Sequence, residues 1–246
     1  MKLAIDIGNT SIRSGIFKDK NNIQGFYSCA SNSFIEFENF IMNLESLEIT
    51  KIIISSVVPN LNKSTKKLLH TKFPACPINF INFKISQIKT IVPEPETIGV
   101  DRLCNMFAAI KFYSTPAIII DFGTATTYDV LDKNQIFIGG IIAPGVLTSA
   151  KSLINSASLL PEIVFEFPAK VIGETTKENI QSGIMYGSIA QIEAMISKIN
   201  QETNTAYSII LTGGFSKILS GYLKLNHIQD IDLTLKGMIA IDESNL

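Results

Sequence analysis

Two short segments of this chain carry a pattern suited to phosphate chemistry: Ile5-Asp6-Ile7-Gly8-Asn9-Thr10 and Ile120-Asp121-Phe122-Gly123-Thr124-Ala125. Each follows an apolar run, so each places a carboxylate at the end of a strand, where the ligand sites of α/β sheets form. The glycine two residues on lets backbone N–H groups approach a phosphate with no Cβ in the way. Asn9, Thr10 and Ser11 in the first turn, and Thr124, Thr126 and Thr127 in the second, add neutral donors. An aspartate does not hold a phosphate itself, but it can hold the cation bound to one, or the water around that cation. Two such turns facing each other would clamp the phosphate tail of a nucleotide from both sides. A single Asp-x-Gly turn also reads as an ordinary hairpin; two matched copies, 115 residues apart, favour the phosphate reading.

A third candidate is Gly99-Val100-Asp101-Arg102, at the start of an expected helix. Asp near a helix N-terminus is favoured by the dipole, so simple capping accounts for the pair in isolation. Here it follows the proline-marked loop Val92-Pro93-Glu94-Pro95-Glu96 and closely precedes the second Asp-x-Gly strand. If that loop borders a cleft, Asp101 could accept a hydroxyl proton and Arg102 could bind an anionic group. Gly139–Gly145 has the glycine spacing of a close backbone approach or of a bulged strand and turn, and Thr212-Gly213-Gly214 either lines a ligand or turns the chain. Gly183 and Gly187, four apart in a long helix, read as close helix packing or a subunit contact.

The elements that would position these residues alternate between strand and helix. Lys2–Ile7 and Ile12–Phe17 read as strands around the first turn. Ser33 to Glu36 reads as a capping box opening a helix with Phe34, Phe37, Ile41 and Leu44 on one face and Phe40 and Leu47 beside them. Lys51–Val58 is a β-branched run stopped by Pro59, a helix follows over 61–70, and Ile78–Phe83 is another strand. After Gly99, Leu103, Phe107 and Ile110 mark a helix face. The second half repeats the opening, with strands at 117–120 and 126–131, then 135–142, helices at 146–157 and 176–200, a strand at 207–211 and a helix from Phe215. The repeat implies a duplication, divided near Tyr113-Ser114-Thr115-Pro116 into domains 1–114 and 115–246.

Composition narrows the function classes. The 246 residues are 46% hydrophobic and 17% charged, with net charge −1, which excludes a disordered chain. Mean hydropathy is +0.27, yet the longest apolar run, Met106–Ile110, is far short of a bilayer span. No basic tract exceeds Lys66-Lys67, so neither nucleic acid nor membrane is an expected partner. Cys29, Cys76 and Cys104 are odd in number and widely spaced, which suits free thiols and a cytoplasmic location. His70 and His227 lack metal-binding neighbours and are expected on solvated faces, leaving any acid–base work to a carboxylate.

Taken together and in order, these motifs resemble the type III pantothenate kinases, a family of the actin-like ATPase superfold. Gly173-Glu174-Thr175-Thr176 and Asp232-Leu233-Thr234-Leu235-Lys236-Gly237 add to the likeness, which covers nearly the whole chain. The resemblance implies two ribonuclease H-like domains, each a mixed sheet flanked by helices, and ATP-dependent phosphorylation of pantothenate to 4′-phosphopantothenate, the first step of coenzyme A biosynthesis. It further implies that Asp6, Ile7, Gly8, Asn9, Thr10, Ser11, Ile12 and Arg13, with Thr124, bind ATP. Asp101 would be the proton acceptor; Gly99, Val100, Asp101, Arg102 and Thr176 would line the pantothenate pocket. Mg²⁺ would accompany ATP, and Asp121 would hold a monovalent cation, K⁺ or NH₄⁺. The family works as a homodimer with a composite active site, Thr176 touching the pantothenate bound mainly by the neighbouring subunit. Val92 stands where many members carry a pocket tyrosine, so that hydroxyl is lost here. The rival readings are another sugar or carboxylate kinase, a non-catalytic regulator of the same fold, and an actin-like filament protein.

Overall fold

The computed structural model describes residues 1–19, 22–44, 48–156 and 164–245. Leu47, placed on the first helical stripe, and residue 157, at the end of the helix expected over 146–157, lie outside them. Packing resolves the chain into two compact units: Met1–Ser114 with Gln135–Ile138 and Asp232–Leu246, and Thr115–Asn134 with Gly139–Ile231.

The first unit is built on strands β1 (Lys2–Ile7), β2 (Ser11–Asp19), β3 (Asn22–Ala30), β4 (Lys51–Ser56) and β5 (Ile78–Phe80), in the order β3-β2-β1-β4-β5. β1 and β2 are antiparallel, β2 and β3 antiparallel, and β1-β4-β5 parallel. Side chains alternate across each strand. Leu3, Ile5 and Ile7 share one core with Ile12, Ile52 and Ile54, and α1 (Phe34–Asn43) and α2 (Pro59–Lys72) bury Phe37, Ile41, Leu68 and Leu69 in it. Each such side chain contributes about 1.5–3 kcal/mol. Ala4 and Asp6 face the other way. On that side Gly15 of β2 meets Leu235 of α8 (Leu233–Ser244), and α8 crosses α4 (Val100–Phe112) so closely that a Cβ on Gly237 would overlap the Cys104 carbonyl oxygen. α3 (Phe83–Ser86) and the short β6 (Lys89–Thr90) complete this unit, β6 pairing in parallel with Ile136 and Phe137.

The second unit holds β7 (Ala117–Phe122), β8 (Ala125–Leu131), the part of β9 (Ile136–Pro144) from Gly139 on, β10 (Ser208–Thr212) and β11 (Ile228–Gln229), ordered β11-β10-β7-β8-β9. β7/β8 is antiparallel, whereas β7/β10 and β10/β11 are parallel. Read from its far edge, this is the strand order of the first sheet, with β7 standing for β1, β8 for β2 and β10 for β4. The directions of β7/β8, β7/β10 and β10/β11 match those of β1/β2, β1/β4 and β4/β5. α5 (Val146–Ser156), α6 (Thr176–Thr203) and α7 (Ser216–Leu219) accompany it.

Several local expectations need correction. Ser33 caps α1 without a side-chain bond, and Glu36 N–H donates to the Ser33 carbonyl instead, so no capping box forms there. Pro59 does not merely stop β4; it occupies the first turn of α2, where its missing N–H costs nothing. The strand expected to Phe83 ends at Phe80 and gives way to α3. His70 is exposed as expected, but His227 is half-buried, its Nδ1 2.8 Å from the Leu225 carbonyl. All three cysteines are free and buried. Among the described residues no helix is long and apolar enough to cross a membrane.

Candidate active site

In the first unit, the Asp6 carboxylate is positioned by sheet register. Arg13 stands opposite it on β2 and Ser55 opposite it on β4, so all three side chains share one face. Ser55 Oγ donates to Asp6 Oδ1 at 3.0 Å, and Arg13 Nη2 donates to Oδ2 at 3.2 Å. Asp6 is only 6% exposed, and both its oxygens are thus engaged. The turn that follows is closed by Gly8 N–H donating to the Ser11 carbonyl at 3.0 Å, while Ser31 Oγ donates to the Gly8 carbonyl. Asn9 and Thr10 are exposed at its tip. Ile7 and Ile12 are fully buried in the core, so only their main chain is available to a ligand.

The other first-unit candidates open α4. Gly99 is the N-cap and contributes no side-chain bond; Asp101 lies in the first turn, half-buried, with Oδ1 accepting from Arg102 N–H at 2.8 Å. The carboxylate folds back over Gly99, where a Cβ would stand 2.6 Å from Asp101 Oδ1. Glycine at 99 is therefore what gives Asp101 its room. Val100 is half-buried, and the Arg102 guanidinium lies 5.7 Å from the Phe137 ring centroid, a cation–π distance. Cys104, fully buried one turn further on, has its thiol pKa pushed well up, first by burial and then by the Asp6 and Asp101 carboxylates, with a hydrogen bond to Ser55 opposing. Asp6 and Asp101 thus act on one buried thiol, which places both carboxylates in the same part of this unit.

In the second unit, Asp121 stands opposite Thr127 on β8 and Thr212 on β10. The Thr127 and Thr212 hydroxyls are buried with no hydrogen-bond partner among the described residues. Gly213, at φ +85°, lies against Asp121: a Cβ there would overlap Asp121 Oδ1 and stand 2.6 Å from the Phe122 nitrogen. Gly123 and Thr124 are exposed in the turn, and Gly145 closes on them, its N–H donating to the Thr124 carbonyl at 3.1 Å. That carbonyl also accepts from Thr148 Oγ1 at 2.6 Å. The Gly139–Gly145 segment is therefore strand as far as Pro144, and Gly145, just past it, packs on the second Asp-x-Gly turn. Thr176 is exposed at the first position of α6, just after a capping box in which Thr175 Oγ1 accepts from Glu178 N–H at 3.2 Å. The Glu178 carboxylate accepts from the N–H groups of Glu174 and Thr175, which hold its pKa low.

Sequence reasoning passed over Ser55, Asn105 and Asp129, and named Thr234 only within the Asp232 to Gly237 likeness, with no role. The polar ending of an otherwise isoleucine-rich β4 signals Ser55, and a carboxylate inside an apolar strand signals Asp129, which is fully buried on β8. Nothing local signals Asn105. Among the described residues no group of three or more His, Cys, Asp and Glu gathers into a metal cluster.

A duplicated mixed sheet, with β1 and its counterpart β7 each carrying an aspartate into a glycine turn, defines an actin-like ATPase fold of the kind used by sugar kinases. Solved structures agree with it. A 2-dehydro-3-deoxygalactonokinase protein from Sinorhizobium meliloti superposes with a TM-score of 0.63 at 10% identity, over 99% of this chain and 96% of its own. A Baf family transcriptional activator protein from Campylobacter jejuni does so with a TM-score of 0.64 at 22% identity, over 99% and 98%. At those identities the likeness establishes the fold alone. The sequence goes further: the family model for type III pantothenate kinase matches residues 2–198. The type III pantothenate kinase of Sulfurihydrogenibium sp. (strain YO3AOP1) is 37% identical over 252 residues, spanning 99% of this chain and 100% of that protein. The chain belongs to the type III pantothenate kinases, and is a phosphotransferase.

Proposed function

We propose that this chain transfers the γ-phosphoryl group of ATP to the primary hydroxyl of pantothenate, giving 4′-phosphopantothenate and ADP. The observation that carries the reading is Asp101, a half-buried carboxylate held at the start of α4 over a glycine that leaves it room. A primary hydroxyl is a poor nucleophile at neutral pH. Asp101 takes its proton as the new O–P bond forms and the bond from the γ-phosphorus to the β,γ-bridging oxygen breaks. Such assistance contributes ~10²–10⁴-fold. Gly99, Val100 and Arg102 line the substrate pocket, with Arg102 as partner for the pantothenate carboxylate. Thr176 reaches the pantothenate of a neighbouring subunit in a homodimer.

Residues 6–13 and Thr124 bind ATP, largely through main-chain N–H groups and hydroxyls. The near-neutral chain has no basic tract for that task. Asp6 stands near the metal-bound phosphates of ATP, and Asp121 is the carboxylate for K⁺ or NH₄⁺. The buried hydroxyls of Thr127 and Thr212 opposite Asp121, with no hydrogen-bond partner among the described residues, are hard oxygen donors of the type such a cation takes. When bound, the cations offset negative charge on the phosphoryl oxygens. We place the protein in the cytoplasm and treat 1–114 and 115–246 as the units of duplication, with α8 contributed to the first by the end of the second. The test is incubation with ATP, Mg²⁺ and pantothenate in potassium and in sodium-only buffer. Formation of 4′-phosphopantothenate, faster in potassium, is the expected result. ATP binding without transfer to pantothenate would refute the substrate, and equal rates in the two buffers would refute the monovalent site.

A further inference from the structure

A line of polar side chains, buried except for the half-buried Arg13, runs through the first unit from the phosphate turn to α4. Ser55 Oγ and Arg13 Nη2 engage the two oxygens of Asp6 at 3.0 and 3.2 Å. The same Arg13 Nη2 donates to Thr234 Oγ1 at 3.0 Å, and Thr234 Oγ1 donates its own proton to Asn105 Oδ1 at 2.8 Å. Asn105 and Ser55 are 0% exposed and Thr234 1%. These five residues come from β4, β1, β2, α8 and α4. Thr234 is the joint, because its single hydroxyl accepts from one side and donates to the other. Asn105 sits one turn after Asp101 on the same side of α4, so what holds Asn105 also sets the start of that helix.

We propose that Thr234 and Asn105 are positioning residues: through Arg13 they fix the Asp6 carboxylate, and they tie the helix carrying Asp101 to the strand that ends in the phosphate turn. The inference rests on the kinase reading above. An apolar core would serve packing equally well. A fully connected buried network instead fixes orientation, and it suffers when one member is lost. Losing the Thr234 hydroxyl removes one of the bonds that orient the Arg13 guanidinium against Asp6.

The test compares Thr234→Val, which keeps shape and removes both bonds, with Thr234→Ser, which keeps the hydroxyl. Binding of a non-hydrolysable ATP analogue with Mg²⁺ is read by calorimetry, beside kcat and the melting temperature. Thr234→Val is expected to weaken the analogue about tenfold and lower kcat by a similar factor, with Thr234→Ser within about threefold of the parent. If Thr234→Val does not fold, Thr234→Ala is read in the same way. A valine or alanine variant that melts lower yet binds the analogue and turns over like the parent would overturn the proposal, leaving the network a purely structural one. So would a serine variant as impaired as the valine. The binding arm needs no turnover, so a parent protein inactive on pantothenate would refute the substrate and leave this test intact.

Discussion

Replacing Gly99 by alanine perturbs the proposed base without touching its charge. The backbone at 99 (φ −55°, ψ 137°) suits alanine, so no strain arises from the main chain. The added Cβ, however, would lie 2.6 Å from Asp101 Oδ1, and ordinary C···O contacts begin near 3.3 Å. The carboxylate, being the movable partner, must retreat by about 0.7 Å and slacken its bond from Arg102 N–H. A misplacement of ~1 Å at a reacting group costs ~10²-fold, so kcat should fall roughly 10- to 100-fold. Stability should change by less than about 1 kcal/mol, since the reduced freedom of the unfolded chain offsets the poorer cap. The assay is ADP release at saturating ATP and pantothenate, paired with a thermal melt and the KM for ATP, which should stay within about threefold because the substitution leaves the Asp6 turn alone. A variant with kcat within twofold of the parent, equally stable, would refute the idea that Asp101 needs its present position.

Two further substitutions test the packing that supports the site. The Tyr128 phenol is fully buried and partnerless among the described residues, and burial pushes its pKa up to about 12. An unfolded tyrosine ionises near 10, so the folded protein loses stability as pH rises from 10 through 12, and Tyr128→Phe removes that loss, worth up to about 2.7 kcal/mol. Urea melts at pH 7 and pH 11 check it: little change or a gain at pH 7 is expected, with the variant ahead at pH 11, and parallel pH profiles would contradict the burial. Gly237→Ala would drive a Cβ into the Cys104 carbonyl where α8 crosses α4. Overpacking of this kind costs about 1–3 kcal/mol, a Tm drop of roughly 2–12 °C; an unchanged Tm would show that the helices can part without penalty.

What could be read from the sequence was what repeats or lies close along the chain. Asp6-x-Gly8 and Asp121-x-Gly123 announced both turns and the duplication because each is a few residues long and the copies match. The start of α4 at Gly99 was legible for the same reason. β3 was missed because Asn22–Ala30 mixes glycine, serine and glutamine with an outward Phe26, breaking the alternation of a half-buried strand. α8 was missed because Leu233 to Ile241 is buried nearly all round, and a helix without a polar face has no amphipathic period. The bonds that join Asp6 to α8 and α4 could not be read from the sequence. Ser55 lies 49 residues from Asp6, Thr234 lies 221 from Arg13 and Asn105 lies 129 from Thr234, so only the folded sheet and the α4–α8 crossing join them.

The most direct measurement is single-turnover phosphoryl transfer to pantothenate by Asp101→Asn, with ATP binding measured on the same preparation. Asparagine keeps the size and the polar contacts of Asp101 but cannot take the hydroxyl proton. ATP binding close to the parent's, with transfer slowed by at least ~10²-fold, is the predicted result. Near-native transfer by that variant would contradict Asp101 as the base.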